Sequence, residues 1–383
     1  MTSAEILKQL VSFPTISKDS NLDLIHWVQN YLKDFGVDSK LVPNPENTKA
    51  NLHARIGPAE DGGIVLSGHS DVVPVEGQPW ESDPFVLTDK GDGKLYGRGS
   101  CDMKGFLANC LATLPEMTKA PLKKPIYFAF SYDEEVGCTG APDLIADIQN
   151  YYEETPKFAL IGEPSLMQPV VGQKGIYIME VQVNGSAGHS SRIRQEVSAI
   201  HESARLILWL EDRMNKLVEV GQLDHRFDPP HTSMHVGVIQ GGIAPNVVAD
   251  KAFFTWDVRT IPKDNLPALI QEFKDFCKGR EDMLRKVFPK FAIKFVEYHP
   301  PVPPLDTADD QEVVALVKSL SGRNDLGAVS YAAEAGQFSD AGFQSIICGP
   351  GSIEQAHRAN EFMAKDQLIK GEEMLLRLTQ AMS

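Results

Sequence analysis

The sequence lacks paired cysteines, long apolar runs and an excess of basic residues. Its five cysteines are scattered without a Cys-x-x-Cys pair, which argues against a disulfide framework and against a thiolate zinc ribbon. No apolar segment approaches the roughly 20 residues that cross a bilayer. No basic region followed by an apolar stretch marks a signal peptide, so we expect a cytoplasmic protein that does not insert into a membrane.

The charge balance of the chain is acidic. Its 37 basic and 52 acidic residues give a formal net charge of −15, which disfavours binding to nucleic acid or to anionic lipid. Gly97 and Gly99 are not followed by the third glycine or the Lys-Ser/Thr of a phosphate-binding loop, which argues against a nucleotide enzyme. The length of 383 residues suits one large domain with an insertion, or two domains.

Four short apolar runs each end beside a histidine or acidic residues. Residues 64–66 lead to His69 and Asp71, residues 126–130 to Glu134 and Glu135, residues 158–161 to Glu163, and residues 345–348 to His357. A lone histidine after a strand is usually an ordinary loop residue, so the prediction depends on the recurrence. Because the carboxyl ends of strands in an open α/β sheet form one ligand-binding edge, we expect these side chains to share a site.

A glycine-rich turn before an apolar helical segment adds Asp102 to the candidates. In that position Asp102 is equally well explained as a metal ligand or as the N-cap of the helix. Two imidazoles and several carboxylates without cysteine form a nitrogen-and-oxygen donor set, which suits zinc, cobalt or manganese. The number of candidates indicates two metal ions that share a bridging carboxylate.

The pair Glu134 and Glu135 predicts a division of roles, because adjacent residues beyond a strand end point in different directions. One can bind metal while the other serves as a general base that deprotonates metal-bound water. A solvated acidic turn is the alternative interpretation. Asp71 is suited either to orient the His69 ring by accepting a hydrogen bond or to bind metal directly.

Residues 176–300 show the pattern β-α-β-β-α-β, which is a complete ferredoxin-like unit. Because candidate site residues lie on both sides of it, we predict an insertion. The predicted domains are a catalytic α/β domain over residues 1–175 and 301–383, and the inserted unit over residues 176–300.

Several motifs together resemble a known enzyme family. They are Gly68-His69-Ser70-Asp71, Gly97-Arg98-Gly99 with Asp102-Met103-Lys104-Gly105, Asp133-Glu134-Glu135, Gly162-Glu163-Pro164 and Gly188-His189-Ser190. The set is similar to the dinuclear zinc deacylase and peptidase family that includes aminoacylase, succinyl-diaminopimelate desuccinylase and acetylornithine deacetylase. Within this family the chain is most similar to the acetylornithine deacetylases. The resemblance covers nearly the whole chain.

The resemblance implies a role for each metal-site candidate. It assigns His69 and Glu163 to one metal ion, Glu135 and His357 to the other, and Asp102 to both as a bridge. It makes Glu134 the general base and Asp71 the residue that orients His69. The family fold is a zinc-dependent α/β domain interrupted by a ferredoxin-like lid that commonly forms a homodimer interface.

The resemblance also implies roles outside the metal ligands. His189 would reach the active site of the partner subunit and stabilise the oxyanion of the tetrahedral intermediate. Arg259 would bind the substrate carboxylate. Asn246 and the hinge residue Lys174 are further candidates for substrate binding, although turn formation explains Asn246 nearly as well.

The function implied by the resemblance is removal of the N-acetyl group from an N-acetylated amino acid, with N-acetylornithine of arginine biosynthesis as the leading substrate. Metal-bound hydroxide would attack the acyl carbonyl, with two zinc ions as cofactors and cobalt or manganese as substitutes. Glu334 lies in a loop similar to that of the acetylornithine deacetylases, and its charge could pair with a basic substrate side chain. Alternatives are N-acetylcitrulline, N-succinyl-diaminopimelate, dipeptides, or a non-catalytic metal-binding homologue.

Overall fold

The computed structural model describes all 383 residues and divides the chain into two compact units. Unit 1 comprises residues 1–173, 305–328 and 333–383, and unit 2 comprises residues 174–304 and 329–332. None of the helices combines the length and the apolar character that crossing a bilayer requires. The function of the predicted insertion over residues 176–300 as a lid and dimerisation domain stays a prediction.

The helices account for much of unit 1 and for two segments of unit 2. They are α1 (Ser3–Val11), α2 (Leu22–Asp34), α3 (Lys104–Lys119), α4 (Ala141–Tyr151), α5 (Ala199–Glu219), α6 (Leu266–Leu284), α7 (Glu312–Ser321), α8 (Ala335–Asp340) and α9 (Lys365–Ala381). Helix α1 begins with a capping box, in which Thr2 accepts a hydrogen bond from the N–H of Glu5 and Glu5 accepts one from the N–H of Thr2.

The strands form one large and three smaller sheets. In chain order they are β1 (Ser39–Pro43), β2 (Ala50–Ile56), β3 (Ile64–His69), β4 (Thr88–Asp89), β5 (Lys94–Tyr96), β6 (Ile126–Ser131), β7 (Phe158–Pro164), β8 (Val170–Gln173), β9 (Gly175–Asn184), β10 (Gly188–His189), β11 (Ser233–Gly241), β12 (Val247–Val248), β13 (Lys251–Thr260), β14 (Ala292–Glu297), β15 (Leu305–Asp306), β16 (Gly327–Val329), β17 (Gln344–Gly349) and β18 (Phe362–Ala364).

The centre of the large sheet is a block of four parallel strands in the order β6-β3-β7-β17. These are the four apolar runs that the sequence singled out, and their carboxyl ends meet at one edge of the sheet. The predicted α/β class is therefore confirmed.

Both faces of these parallel strands are covered. In β3, Ile64 and Leu66 join a hydrophobic core with residues of α1, α2, α3, α7 and α9, while Val65 and Ser67 alternate to the opposite face and are also fully buried. Strands buried on both faces read as continuous apolar runs rather than as alternating ones. This explains why the runs were recognisable and why they stop where the polar site residues begin.

Unit 2 has its own core around a four-stranded antiparallel sheet in the order β11-β13-β9-β14. The main elements of the unit follow the predicted order β-α-β-β-α-β, with α5 and α6 as the helices. Phe254 and Trp256 of β13 pack with Phe273 of α6 in this core. Strands β11 and β14 are the two edges of the sheet.

Close approach of β7 and β17 requires glycine at position 349. A Cβ atom added to Gly349 would lie 2.0 Å from the carbonyl oxygen of Gly162 and 2.6 Å from that of Glu163. Main-chain atoms cannot move aside as a flexible side chain can, so any larger residue would push the two strands apart beside the candidate site.

We expect Gly349→Ala to lower the free energy of unfolding by about 1–3 kcal/mol, which is the usual cost of overpacking. Thermal and urea unfolding would measure the change. Gly279→Ala is the control, because an added Cβ meets nothing within 4 Å in α6 and alanine favours a helix by up to about 1 kcal/mol. Equal stabilities of Gly349→Ala and the wild-type protein would contradict the close-approach argument.

Candidate metal centre

His69 ends strand β3 with its ring almost completely buried. Its Nδ1 lies 2.9 Å from the main-chain oxygen of Asp71. A carbonyl can only accept a hydrogen bond, so Nδ1 carries a proton and Nε2 is the ring nitrogen that faces the carboxylates. That Nε2 lies 3.1 Å from Asp102 Oδ1 and 3.9 Å from Glu163 Oε1. The ring is thus held with Nε2 toward two carboxylates, an orientation suited to metal binding.

Asp102 lies between the two predicted histidines. Its Oδ1 faces His69 Nε2 at 3.1 Å, and its Oδ2 lies 3.7 Å from His357 Nε2. The alternative interpretation as a helix cap does not apply, since α3 begins at Lys104 with Met103 in the cap position and no side-chain cap bond. Two oxygens directed at two imidazoles form the arrangement of a bridging carboxylate.

Glu135 and His357 form the other side of the cluster. His357 Nε2 lies 2.9 Å from Glu135 Oε2, and this contact is the main cause of the raised pKa of His357. Burial, together with the charge of Asp102, raises the pKa of Glu135 to about 7. Asp133 and His357 have positive φ angles of 56° and 63°, which are uncommon outside glycine and turn the chain sharply at both positions.

Glu134 and Glu163 complete the cluster around His69. Burial and the charges of neighbouring carboxylates, including Asp102, raise the pKa of both groups well above the usual range of a glutamate. Oε1 of Glu163 is buried and has no hydrogen-bond partner. An unpartnered carboxylate oxygen in a buried, acidic cluster is unfavourable unless a cation offsets its charge.

The carboxylate of Asp71 organises the turn that carries the two glutamates. It accepts hydrogen bonds from the hydroxyl of Ser17 at 2.7 Å and from the N–H groups of Glu134 and Glu135 at 3.2 and 3.3 Å. Burial alone would raise the pKa of Asp71, but His69 and these donors outweigh burial and lower it. Asp71 therefore contacts His69 through its main-chain oxygen and, with Oδ1 at 3.6 Å from Nδ1, through its carboxylate, which also holds the Glu134–Glu135 turn.

Cys138 is a site residue that the sequence analysis missed. Its buried thiol donates a hydrogen bond to Glu134 Oε1 at 3.3 Å. The contact occupies one carboxylate oxygen of Glu134 and leaves the other to act elsewhere. A cysteine four residues after a predicted general base was the only available signal, and nothing in its spacing distinguishes it from a core cysteine.

Glu334, predicted to bind substrate, is enclosed in unit 1. It is 1 % exposed, and its Oε2 accepts a hydrogen bond from the hydroxyl of Ser67 at 2.9 Å. Ser67 lies two residues before His69 on the same face of β3. Burial raises the pKa of Glu334, and the side chains of Ser131 and Ser67 and the charge of His69 offset only part of that effect.

His189 and Asn246 lie beside each other in unit 2. Strands β10 and β12 pair His189 with Val247, and the N–H of Ser190 donates to the main-chain oxygen of Asn246 at 3.0 Å. The N–H of Ser191 donates to His189 Nδ1 at 3.2 Å. An accepting Nδ1 leaves the proton of the neutral ring on Nε2, so His189 presents an exposed N–H donor.

Arg259 and Lys174 also belong to unit 2. Arg259 Nε lies 3.9 Å from Asp257 Oδ2, and the side chain is about one-third exposed. Lys174 is 1 % exposed, and its Nζ donates to the main-chain oxygens of Pro229 and His231 at 2.7 and 2.8 Å. These contacts favour a structural role for Lys174, while Arg259 retains donors for a ligand.

The donor atoms in unit 1 fit metal ions. The ligand atoms of His69, Asp102 and Glu135 lie within 4.8 Å of one another, and so do those of His69, Glu134 and Glu163. The donors are imidazole nitrogens and carboxylate oxygens, a set that suits divalent transition metals rather than a thiolate site. The unpartnered oxygen of Glu163 is consistent with this use.

Comparison with known proteins defines the class of the chain. Residues 65–381 match Peptidase family M20/M25/M40, so the chain belongs to that family and is a hydrolase. The family membership predicted from the motifs is confirmed.

Three individual proteins are similar to the chain over nearly its whole length. The chain is 34 % identical over 372 residues to acetylornithine deacetylase of Proteus mirabilis (strain HI4320), which covers 94 % of this chain and 92 % of the relative. Acetylornithine deacetylase of Shigella sonnei (strain Ss046) is 34 % identical over 375 residues with the same coverage. An M20 family metallo-carboxypeptidase from Sulfolobus solfataricus shares the fold, with a TM-score of 0.78, 17 % identity and 99 % coverage of both chains.

We expect zinc or cobalt to stabilise metal-stripped protein, because a ligand that binds only the native state raises stability by about 2.7 kcal/mol at 100 times its Kd. Asp102→Asn should lose most of this gain, since Asp102 faces both histidines. Thermal unfolding against metal concentration measures it, with Glu60→Gln, an exposed carboxylate, as the control. Equal gains in all three proteins would contradict the assignment.

Proposed function

We propose that this chain is a two-zinc amidohydrolase that removes the acetyl group from an N-acetylated amino acid, with N-acetylornithine as the leading substrate. The observation that carries the proposal is the position of Asp102, whose two oxygens face His69 and His357 inside a cluster of glutamates. The names of the curated relatives support the deacetylase reaction and the substrate.

The contacts support two metal positions that share Asp102. His69 and Glu163 would hold one ion, and Glu135 and His357 would hold the other. We assign zinc to both positions, with cobalt or manganese as substitutes. When bound, such ions lower the pKa of water and polarise an acyl carbonyl.

Glu134 is the proposed proton carrier of the reaction. An oxygen of water bonds to the acyl carbon and the amide C–N bond breaks, which releases acetate and the free amino acid. Glu134 takes a proton from the attacking water and returns it to the leaving α-nitrogen. The hydrogen bond from the Cys138 thiol to Glu134, and the hydrogen bond from the Glu134 N–H to Asp71, both support a fixed direction for the Glu134 carboxylate.

His189 is the proposed donor to the developing oxyanion. The bond from the Ser191 N–H to Nδ1 fixes the tautomer with a proton on Nε2. A donor held in this form can stabilise negative charge without a change of protonation state. Arg259, with a guanidinium suited to bidentate contacts, is the proposed partner of the substrate carboxylate, and Asn246 beside His189 is a further substrate contact.

The function is tested by release of free α-amine from N-acetylornithine after metal-stripped protein is reloaded with zinc or cobalt. Glu134→Gln should lower kcat by about 10²–10⁴-fold, the usual contribution of a general base, while metal binding persists. Glu153→Gln, which changes an exposed glutamate, should retain full activity. A reloaded wild-type protein without hydrolysis, or an active Glu134→Gln variant, would contradict the proposal.

We propose that Glu334 favours basic substrate side chains through its negative charge. Its carboxylate is bonded to the hydroxyl of Ser67, two residues before His69, and a hydrogen bond to a charged group contributes about 1.5–3 kcal/mol. Glu334→Gln should therefore reduce the kcat/KM preference for N-acetylornithine over N-acetylmethionine by roughly 10–100-fold. N-acetylcitrulline, N-succinyl-diaminopimelate and a dipeptide complete the substrate panel. An unchanged preference would limit Glu334 to its internal bond with Ser67.

We further propose a homodimer through unit 2, in a protein located in the cytoplasm. Edge strand β11 exposes Val238 and Ile239, which are 45 % and 52 % exposed, and Ile243 just beyond it is 87 % exposed. An apolar edge strand is a template for pairing with another chain.

Ile239→Lys should convert the dimer to a monomer, because a charged residue on an edge strand opposes pairing. Light scattering after size-exclusion chromatography measures the mass. Val287→Lys, at a position with nearly the same exposure outside the sheet, is the matched control. A wild-type monomer, or a dimeric Ile239→Lys variant, would contradict a dimer interface at β11.

A further inference from the structure

The buried carboxylate of Glu361 holds the loop that carries Asp102 into the candidate metal centre. It is 1 % exposed. Its Oε1 accepts hydrogen bonds from the N–H groups of Cys101 at 2.8 Å and Asp102 at 3.1 Å, and its Oε2 accepts one from Gly99 at 2.9 Å. Three main-chain donors from one loop converge on this side chain, so Glu361 fixes the main chain from which Asp102 projects.

Arg98 connects Glu361 to the segment that carries His357. Its Nη1 donates to Glu361 Oε2 at 2.8 Å and to the main-chain oxygen of Arg358 at 3.2 Å. Its Nη2 donates to the side-chain oxygen of Gln78, and Gln78 Nε2 donates to the main-chain oxygen of His357 at 2.9 Å. The guanidinium of Arg98 therefore reaches two consecutive carbonyls of the His357 segment, one of them through Gln78.

The two halves of the metal centre depend on different supports. His69 belongs to a central strand, and its position follows from the ladder that pairs β3 with β6 and β7. His357 lies in a loop, with 59 % of its side chain exposed, and its Nε2 faces the carboxylates of Glu135 and Asp102. The main chain of the His357 loop must be held by other groups, and Arg98 and Gln78 supply those contacts.

We propose that the Arg98–Glu361 ion pair is a positioning element that fixes Asp102 and His357 relative to each other and so forms the metal pocket shared by Asp102, Glu135 and His357. The inference rests on the proposed two-metal function and extends it to residues that hold the main chain of the candidate ligands. It implies that loss of the pair weakens the position beside Glu135 and His357 most, because that position depends on the placement of both Asp102 and His357. The position beside His69 and Glu163 shares only Asp102 and should weaken less.

The test is calorimetric titration of metal-stripped protein with Co²⁺ alone. Wild-type protein should bind two ions. Glu361→Gln should bind one ion about 10–100-fold more weakly, which is the usual effect of removing a group that orients a metal ligand. The other ion should lose less affinity, since its position shares only Asp102. At fixed metal its kcat should fall with little change in KM, and excess metal should restore kcat. Glu312→Gln, which breaks the exposed pair with Lys157, should behave as wild type.

Gln78→Ala keeps the inference testable if Glu361→Gln does not fold. Gln78 is only partly buried. Its loss removes the link from Arg98 to the His357 carbonyl and the hydrogen bond that Gln78 Oε1 accepts from Trp80 Nε1, and it leaves Glu361 and the Asp102 loop in place. We expect a smaller loss of affinity, confined to the metal position beside Glu135 and His357. Unchanged titrations in Gln78→Ala and in folded Glu361→Gln, or equal weakening of both positions, would overturn the proposal. Wild-type protein that binds two ions without hydrolysing substrate would count against the proposed function alone, because the titration needs no substrate.

Discussion

Mutual repulsion among buried carboxylates is the constraint on which the centre of unit 1 depends. Asp102, Glu134, Glu135 and Glu163 converge on His69 within a few ångströms, and burial with like charge raises the pKa of the three glutamates. Burying like charges together is unfavourable unless cations or strong hydrogen-bond donors compensate them. The only imidazoles in the cluster are those of His69 and His357, so the donor set is strongly suited to divalent metal ions.

The sheet brings these groups together against their repulsion. Parallel strands β6, β3, β7 and β17 are held by main-chain ladders and by burial on both faces, and neither support depends on the charges at their ends. The strands thus place His69 and Glu163 directly. The remaining candidate ligands lie on turns that need their own supports. The Asp71 carboxylate holds the turn of Glu135, and the Arg98–Glu361 pair contacts the loops of Asp102 and His357.

Sequence reasoning succeeded for the site residues that directly follow the ends of apolar strands. Apolar runs buried on both faces can be recognised from the sequence alone, so the α/β class and the clustering of His69, Glu135 and Glu163 could be predicted. Asp102 was added from the glycine-rich turn before an apolar helix. Contacts between distant segments could not be predicted. The bond from the Glu134 N–H to Asp71 spans 63 residues and that from Cys101 to Glu361 spans 260, and no local pattern encodes such pairs. From the sequence, only the position of Lys174 at the hinge could be inferred. The burial of its ammonium group could not be predicted.

Anomalous X-ray diffraction from crystals of zinc-loaded protein, recorded on both sides of the zinc absorption edge, tests the proposed two-metal centre most directly. We expect two peaks about 3.5–4 Å apart, the spacing typical of two-metal sites, one beside His69 and Glu163 and one beside Glu135 and His357, with Asp102 between them. A single peak would contradict the bridging role of Asp102. Peaks located away from these residues, or none, would contradict the metal centre itself.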